Sequence, residues 1–177
     1  MMSICKMTYA LYLAIILCFG GSVSAVEVRS PNGLMSVSFE VKDFEGAPAC
    51  PVYSVRYEDQ IVVSESRLGL ELEGGRLGDG VTATILSTAN HDTTWKPVYG
   101  ERSSIRDRYN QIEIQLTETQ APHPIVQLTF RAYDEGVAFC YTIPKQDGMD
   151  RVTISREASE FRFPGDYAAW AVYSAQG

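Results

Sequence analysis

Apolar residues recur at every second position along most of this chain, and that period constrains the fold more than any other feature. Met35, Val37, Phe39 and Val41 alternate with Ser36, Ser38 and Glu40. Tyr53, Val55 and Tyr57 alternate with Ser54 and Arg56, and Leu68, Leu70 and Leu72 with Gly69 and Glu71. Ile112, Ile114 and Leu116 alternate with Glu113 and Gln115. Side chains of a strand point alternately to its two faces, so such runs bury one face and wet the other, as antiparallel strands do. The run Gly136 to Ile143 is continuously apolar and predicts a strand buried on both faces. Turn chemistry separates the runs: Pro31-Asn32-Gly33, Glu45-Gly46-Ala47-Pro48, Gly78-Asp79-Gly80, Asp134-Glu135-Gly136 and Pro164-Gly165. The segment 74–80 predicts a mobile loop. Arg151 to Phe161 is the nearest approach to a helix, but Val152 and Ile154 still alternate, which predicts a strand followed by a turn. The fold class is therefore all-β, an antiparallel sandwich.

A length of 177 residues allows one domain of ordinary size. Fifteen Lys and Arg stand against 22 Asp and Glu, and an acidic chain lacks the clustered cations that bind nucleic-acid phosphates. The N-terminus reads as an address. Lys6 precedes an apolar run from Tyr9 to Phe19, too short for the roughly 20 residues of a membrane span but suited to a signal-peptide core. Gly20-Gly21 breaks it, and Val23-Ser24-Ala25 supplies the small residues of a cleavage site. The expected organisation is a signal peptide at 1–25 and a sandwich domain at 26–177, exported to the periplasm, with no transmembrane helix. Attachment of lipid at Cys18 ranks second because Leu17 is larger than such sites prefer; a secreted form and a buried N-terminal element are the remaining alternatives. Export leaves Cys50 and Cys140, and either one disulfide or two buried thiols fits the sequence.

Few residues invite chemistry. The acids Glu71 and Glu73, and Glu113 with Gln115 beside it, share strand faces, but exposed acids are common on any solvated face. His91-Asp92 reads as part of a polar loop, and His123 lies between two prolines; with no nucleophile elbow nearby, neither supports a triad. The glycines punctuate strands and cradle no phosphate. The aromatics Trp95 and Tyr99, and the series Tyr167, Trp170 and Tyr173, fit either a sandwich core or a platform for sugar rings. The last apolar run, Tyr167 to Tyr173, lies against the C-terminus, so the expected domain is incomplete there.

Four segments in this order resemble one family: Ser30-Pro31-Asn32-Gly33; Ser66-Arg67-Leu68-Gly69-Leu70; Trp95-Lys96-Pro97-Val98-Tyr99-Gly100-Glu101 with Ile105-Arg106-Asp107-Arg108-Tyr109-Asn110; and Phe130-Arg131-Ala132-Tyr133-Asp134-Glu135-Gly136-Val137-Ala138-Phe139. Their spacing is similar to the N-terminal domain of glycoside hydrolase family 97, the alpha-glucosidase and alpha-galactosidase family of gut Bacteroidetes. The resemblance implies a β super-sandwich followed by a (β/α)8 barrel that carries the catalytic acids, so no catalytic residue maps onto this chain. It implies a calcium ion in the full-length family, held mostly by barrel carboxylates, with the sandwich's own glutamate ligand falling just past Gly177; the chain alone is expected to bind none. It places Trp170, Tyr173 and Gln176 nearest the substrate, which would be an alpha-linked glucosyl or galactosyl oligosaccharide. Cys140 departs from the pattern, standing where the family usually carries arginine.

Two functions follow. The chain is expected to be the non-catalytic leading sandwich of an exported alpha-glycosidase, shaping the active-site rim of the barrel. The alternative is a free-standing carbohydrate-binding module. A sandwich interrupted within its strand order leaves an edge unpaired and an apolar face uncovered, so the chain is expected to be poorly soluble or to dimerise through that edge.

Overall fold

The computed structural model describes residues 25–73, 75–121, 123–147 and 151–168. Every regular element among them is a strand: β1 (Val26–Arg29), β2 (Met35–Phe44), β3 (Ala47–Tyr57), β4 (Gln60–Arg67), β5 (Leu70–Leu72), β6 (Gly75–Leu77), β7 (Val81–Trp95), β8 (Ile105–Glu118), β9 (Ile125–Tyr133), β10 (Gly136–Thr142) and β11 (Ile154–Glu157). They form two four-stranded sheets, ordered β1-β2-β3-β4 and β10-β9-β8-β7, and a three-stranded sheet ordered β11-β5-β6. All pairings are antiparallel, as the alternation predicts.

The alternating residues build the core. Val37 and Phe39 of β2, Tyr53 and Val55 of β3, Ile114 and Leu116 of β8, and Val126, Leu128 and Phe130 of β9 are all buried. Phe130 is its aromatic centre, with ring centroids 6.1 Å from Phe39, 6.0 Å from Tyr53 and 5.9 Å from Phe139. Tilted pairs at such distances add to what area burial alone contributes.

Turn residues set the registers. Glu45 and Gly46, both at positive φ (50° and 82°), make the two-residue turn that twists β2 into β3. The Asp134-Glu135 turn joins Tyr133 to Gly136 as the sequence predicts. Gly69 answers a different need. A Cβ there would lie 3.0 Å from the Leu77 carbonyl oxygen and 3.4 Å from the Ala158 side chain, because β6 and the chain after β11 approach its backbone closely. Its N–H donates to the Tyr141 hydroxyl at 3.1 Å, which stitches the small sheet to β10.

Four expectations are corrected. The run 136–143 is not buried on both faces: β10 is an edge strand, with Phe139 facing the core and Ala138 and Cys140 in water. Small residues on the wet face made the run look continuous. The expected disulfide and the expected pair of buried thiols both give way to two free thiols, Cys50 buried and Cys140 exposed. The predicted loop at 74–80 contains β6, whose Leu77 is buried in the common core. His91-Asp92 lies within the strand β7 and not in a loop, because Thr-rich polar strands carry no alternation to read.

Candidate functional site

Three of the four resemblance segments meet at one end of the sandwich. Ser30 Oγ donates to Asn32 Oδ1 at 2.6 Å, and Leu34 N–H donates to the same oxygen at 3.0 Å, closing the turn after β1. The Asn32 N–H donates to Asp134 Oδ1 at 2.8 Å, and Arg108 lies 3.5 Å from the other oxygen of that carboxylate. Asn110 Nδ2 donates to the Arg29 carbonyl at 2.7 Å, and Asn110 Oδ1 accepts from Asn90 Nδ2 at 3.1 Å. These bonds clip the first sheet to the second. On the outer face, Tyr109 is held between His91, stacked at 4.8 Å, and the Arg131 guanidinium, 4.4 Å from its ring centre. The polar groups here are already paired with one another, so this end is built to lock strands together.

The second region lies where the chain runs on from β11. Glu160 N–H donates to the Arg67 carbonyl at 2.8 Å, and Ser64 N–H donates to the Arg162 carbonyl at 2.7 Å, so the segment lies along the edge of β4. A charged clip holds it there. Glu45, at the β2–β3 turn, accepts from Arg162 Nη2 at 2.8 Å and from Arg67 Nη2 at 2.9 Å. Arg162 also pairs with Glu160 at 2.8 Å. Both guanidiniums lie over the Phe44 ring, at 5.2 and 5.8 Å. The Arg162 guanidinium, with Arg67 beside it, holds the Glu45 carboxyl down at about 2. Beneath the clip, burial pushes Tyr53 up to about 12, so it remains a phenol at neutral pH and donates to the Glu160 carbonyl at 2.8 Å.

Past the clip the surface turns apolar. Ile61, Val62, Phe163, Tyr167 and Ala168 line a groove of about 650 Å³, with Gln60 and Asp166 as its polar members. Phe163 and Tyr167 are 60% and 64% exposed. A concave apolar surface with few polar groups suits the face of a sugar ring or another apolar surface. It brings no paired carboxylates for hydrolysis.

The sequence candidates fall as follows. Trp170, Tyr173 and Gln176 lie outside the described residues; the groove is formed by the chain immediately before them. Glu71 is opposite Arg76 and Arg156 on the neighbouring strands, which makes it a cross-strand ion partner. Glu113 accepts from Ser87 at 2.8 Å and Gln111 at 3.0 Å. His91 bonds Thr93 at 2.9 Å, and His123 bonds the Glu118 carbonyl at 3.1 Å. Trp95 and Tyr99 are 50% and 90% exposed, so neither is a core residue. Among the described residues, no group of three or more His, Cys, Asp or Glu side chains that could hold a metal ion comes together. The Glu45–Arg162 clip was missed: Glu45 reads in sequence only as a turn residue, and the two partners lie 117 positions apart.

Residues 28–177 match the family described as Glycosyl-hydrolase 97 N-terminal, and the chain belongs to that family. Solved structures agree. A glycoside hydrolase family 97 enzyme from Pseudoalteromonas sp. strain K8, in complex with panose, superposes with a TM-score of 0.71 at 26% identity, covering 78% of this chain and 20% of that one. The enzyme from the same strain in complex with acarbose gives 0.70 at 26% identity, with the same coverage. A beta-arabinopyranosidase gives 0.71 at 29% identity, covering 78% of this chain and 21% of that one. The chain thus spans about a fifth of the length of the structures it matches.

Proposed function

We propose that this chain is the non-catalytic leading sandwich of an exported alpha-glycosidase, acting on alpha-linked glucosyl or galactosyl oligosaccharides. Residues 1–25 direct export to the periplasm, and residues 26–177 shape the rim of an active site whose acids belong to a barrel domain. The observation that carries this reading is the family match over residues 28–177. The groove supports it as an apolar surface suited to the face of a sugar ring, and substrate contact is assigned to Trp170, Tyr173 and Gln176. Calcium would be held near the substrate, mostly by barrel carboxylates with a contribution from the sandwich domain, where it would supply positive charge. The test is hydrolysis of p-nitrophenyl alpha-glucoside and alpha-galactoside in the presence of calcium. The chain alone is expected to be inactive, and a family-length protein that begins with it is expected to be active. Activity of the chain alone, or inactivity of the longer protein on both substrates, refutes the reading.

The second reading is a free-standing carbohydrate-binding module, and the exposure of Trp95 and Tyr99 favours it. It requires quenching of tryptophan fluorescence by malto- or galacto-oligosaccharides in the chain alone, abolished by Trp95→Ala. An unchanged spectrum with every glycan removes it.

A further inference from the structure

The turn between β2 and β3 breaks its own local rule. Glu45 and Gly46 have φ of 50° and 82°, the geometry of a two-residue turn that Asn-Gly fills best. Glycine takes such angles freely and asparagine tolerates them, but glutamate is strained there. Among the described residues, the Glu45 carboxylate makes no bond within the turn; its partners are Arg67 and Arg162. A strained residue whose side chain does nothing for its own turn points to a task elsewhere.

That task is visible in what Arg162 belongs to. Phe161 packs inward, its ring 5.9 Å from Phe139 and 6.2 Å from Tyr53. Arg162 is fastened on the other side: its backbone bridges Ser64, and its N–H donates to Ser66 Oγ at 2.9 Å. Phe163 comes next and opens one wall of the apolar groove, which continues through Gly165 to Ala168. The facing wall is Gln60, Ile61 and Val62 of β4. One wall is thus a sheet strand, and the other is a segment with no strand pairing beyond the single bridge at Arg162. Charge holds it. Glu160, Arg162, Glu45 and Arg67 close a ring of alternating sign, with gaps of 2.8, 2.8, 2.9 and 3.7 Å in that order. Without the Glu45 carboxylate, two guanidiniums would share one acid over the Phe44 ring, and their repulsion would loosen Arg162 from β4.

We propose that Glu45 is a positioning residue for the groove: through Arg162 it sets the wall of Phe163 and Tyr167 at the spacing from Ile61 and Val62 that takes the face of a sugar ring. The proposal rests on the reading of this chain as the leading sandwich of an alpha-glycosidase. Glu45 and Arg162 are not themselves in the groove lining, so they act on the sugar only through the wall.

The test is Glu45→Asn in a family-length protein that begins with this chain. The change removes the carboxylate and gives the turn the residue it favours, which separates positioning from folding. Hydrogen exchange reads the wall directly. The Ser64 amide, which donates to Arg162, and the Glu160 amide, which donates to Arg67, are expected to exchange about threefold faster, the scale of one exposed ion pair. The amides of β9 are expected to be unchanged. KM for maltotetraose or raffinose, whichever the native protein cleaves, is expected to rise by about threefold at constant kcat. Glu45→Asn is expected to add nothing once Arg162→Gln is in place. Glu27→Gln, which removes an exposed ion pair on β1, is expected to change neither readout. The proposal is overturned by unchanged exchange at Ser64 and Glu160, by faster exchange spread equally to β9, by an unmoved KM, by a fall in kcat alone, by additive effects of Glu45→Asn and Arg162→Gln, or by the same shifts from Glu27→Gln. If the native protein cleaves neither sugar, the alpha-glycosidase reading fails, and exchange at Ser64 and Glu160 still decides whether Glu45 holds the wall.

Discussion

Glu45 shows how one residue can hold a segment in place. It sits at a hairpin turn, yet its carboxylate gathers Arg67 from β4 and Arg162 from the chain beyond β11. Its folded-state value of about 2 lies below its ordinary 4.5. A depressed value means the clip stabilises the fold fully above the unfolded value and is lost as pH falls through the folded one. The melting temperature of the native chain is therefore expected to drop more steeply between pH 4.5 and 2 than that of Glu45→Gln. High salt should narrow the difference at neutral pH, because the clip is exposed and screening weakens it. Parallel pH profiles for the two proteins would show that the clip contributes nothing.

The strands are where sequence and structure agree most closely, and Phe130 measures why. On β9 the pattern of every second residue buried is complete, from Val126 to Ala132. Phe130→Ala removes the ring that Phe39, Tyr53 and Phe139 surround, and is expected to cost about 3–5 kcal/mol in a denaturant titration. Thr129→Ala, one position away on the wet face, is expected to change stability by less than about 0.5 kcal/mol. Equal effects would mean that β9 is not packed as described. The alternation made β2, β3, β8 and β9 legible because their buried faces are large and apolar and their wet faces polar. It failed at β7, whose faces are both wet beyond Ala83, and at β10, whose wet face carries Ala138 and Cys140. It also failed at β6, where a single buried Leu77 is too short a signal.

At the scale of the whole molecule, the family was legible from short segments, and the structure explains what those segments do. Ser30 to Gly33, Arg108, Asn110 and Asp134 lock one end of the sandwich, so their pattern reports the fold more than the chemistry. The groove beside Phe163 and Tyr167 was less legible. The chain crosses it after a clip made by residues far apart in sequence, and no periodicity encodes such a meeting. Catalytic acids were not found by sequence reading, and two of the carboxylates it did flag, Glu71 and Glu113, bond residues of neighbouring strands.

The central claim is that this sandwich serves a larger glycoside hydrolase. The most direct measurement is the coding sequence beyond the codon for Gly177. The account predicts an open frame that continues through further strands, including a glutamate soon after Gly177, into a (β/α)8 barrel. A stop codon directly after Gly177 would contradict it and leave glycan binding by a lone sandwich as the question to pursue.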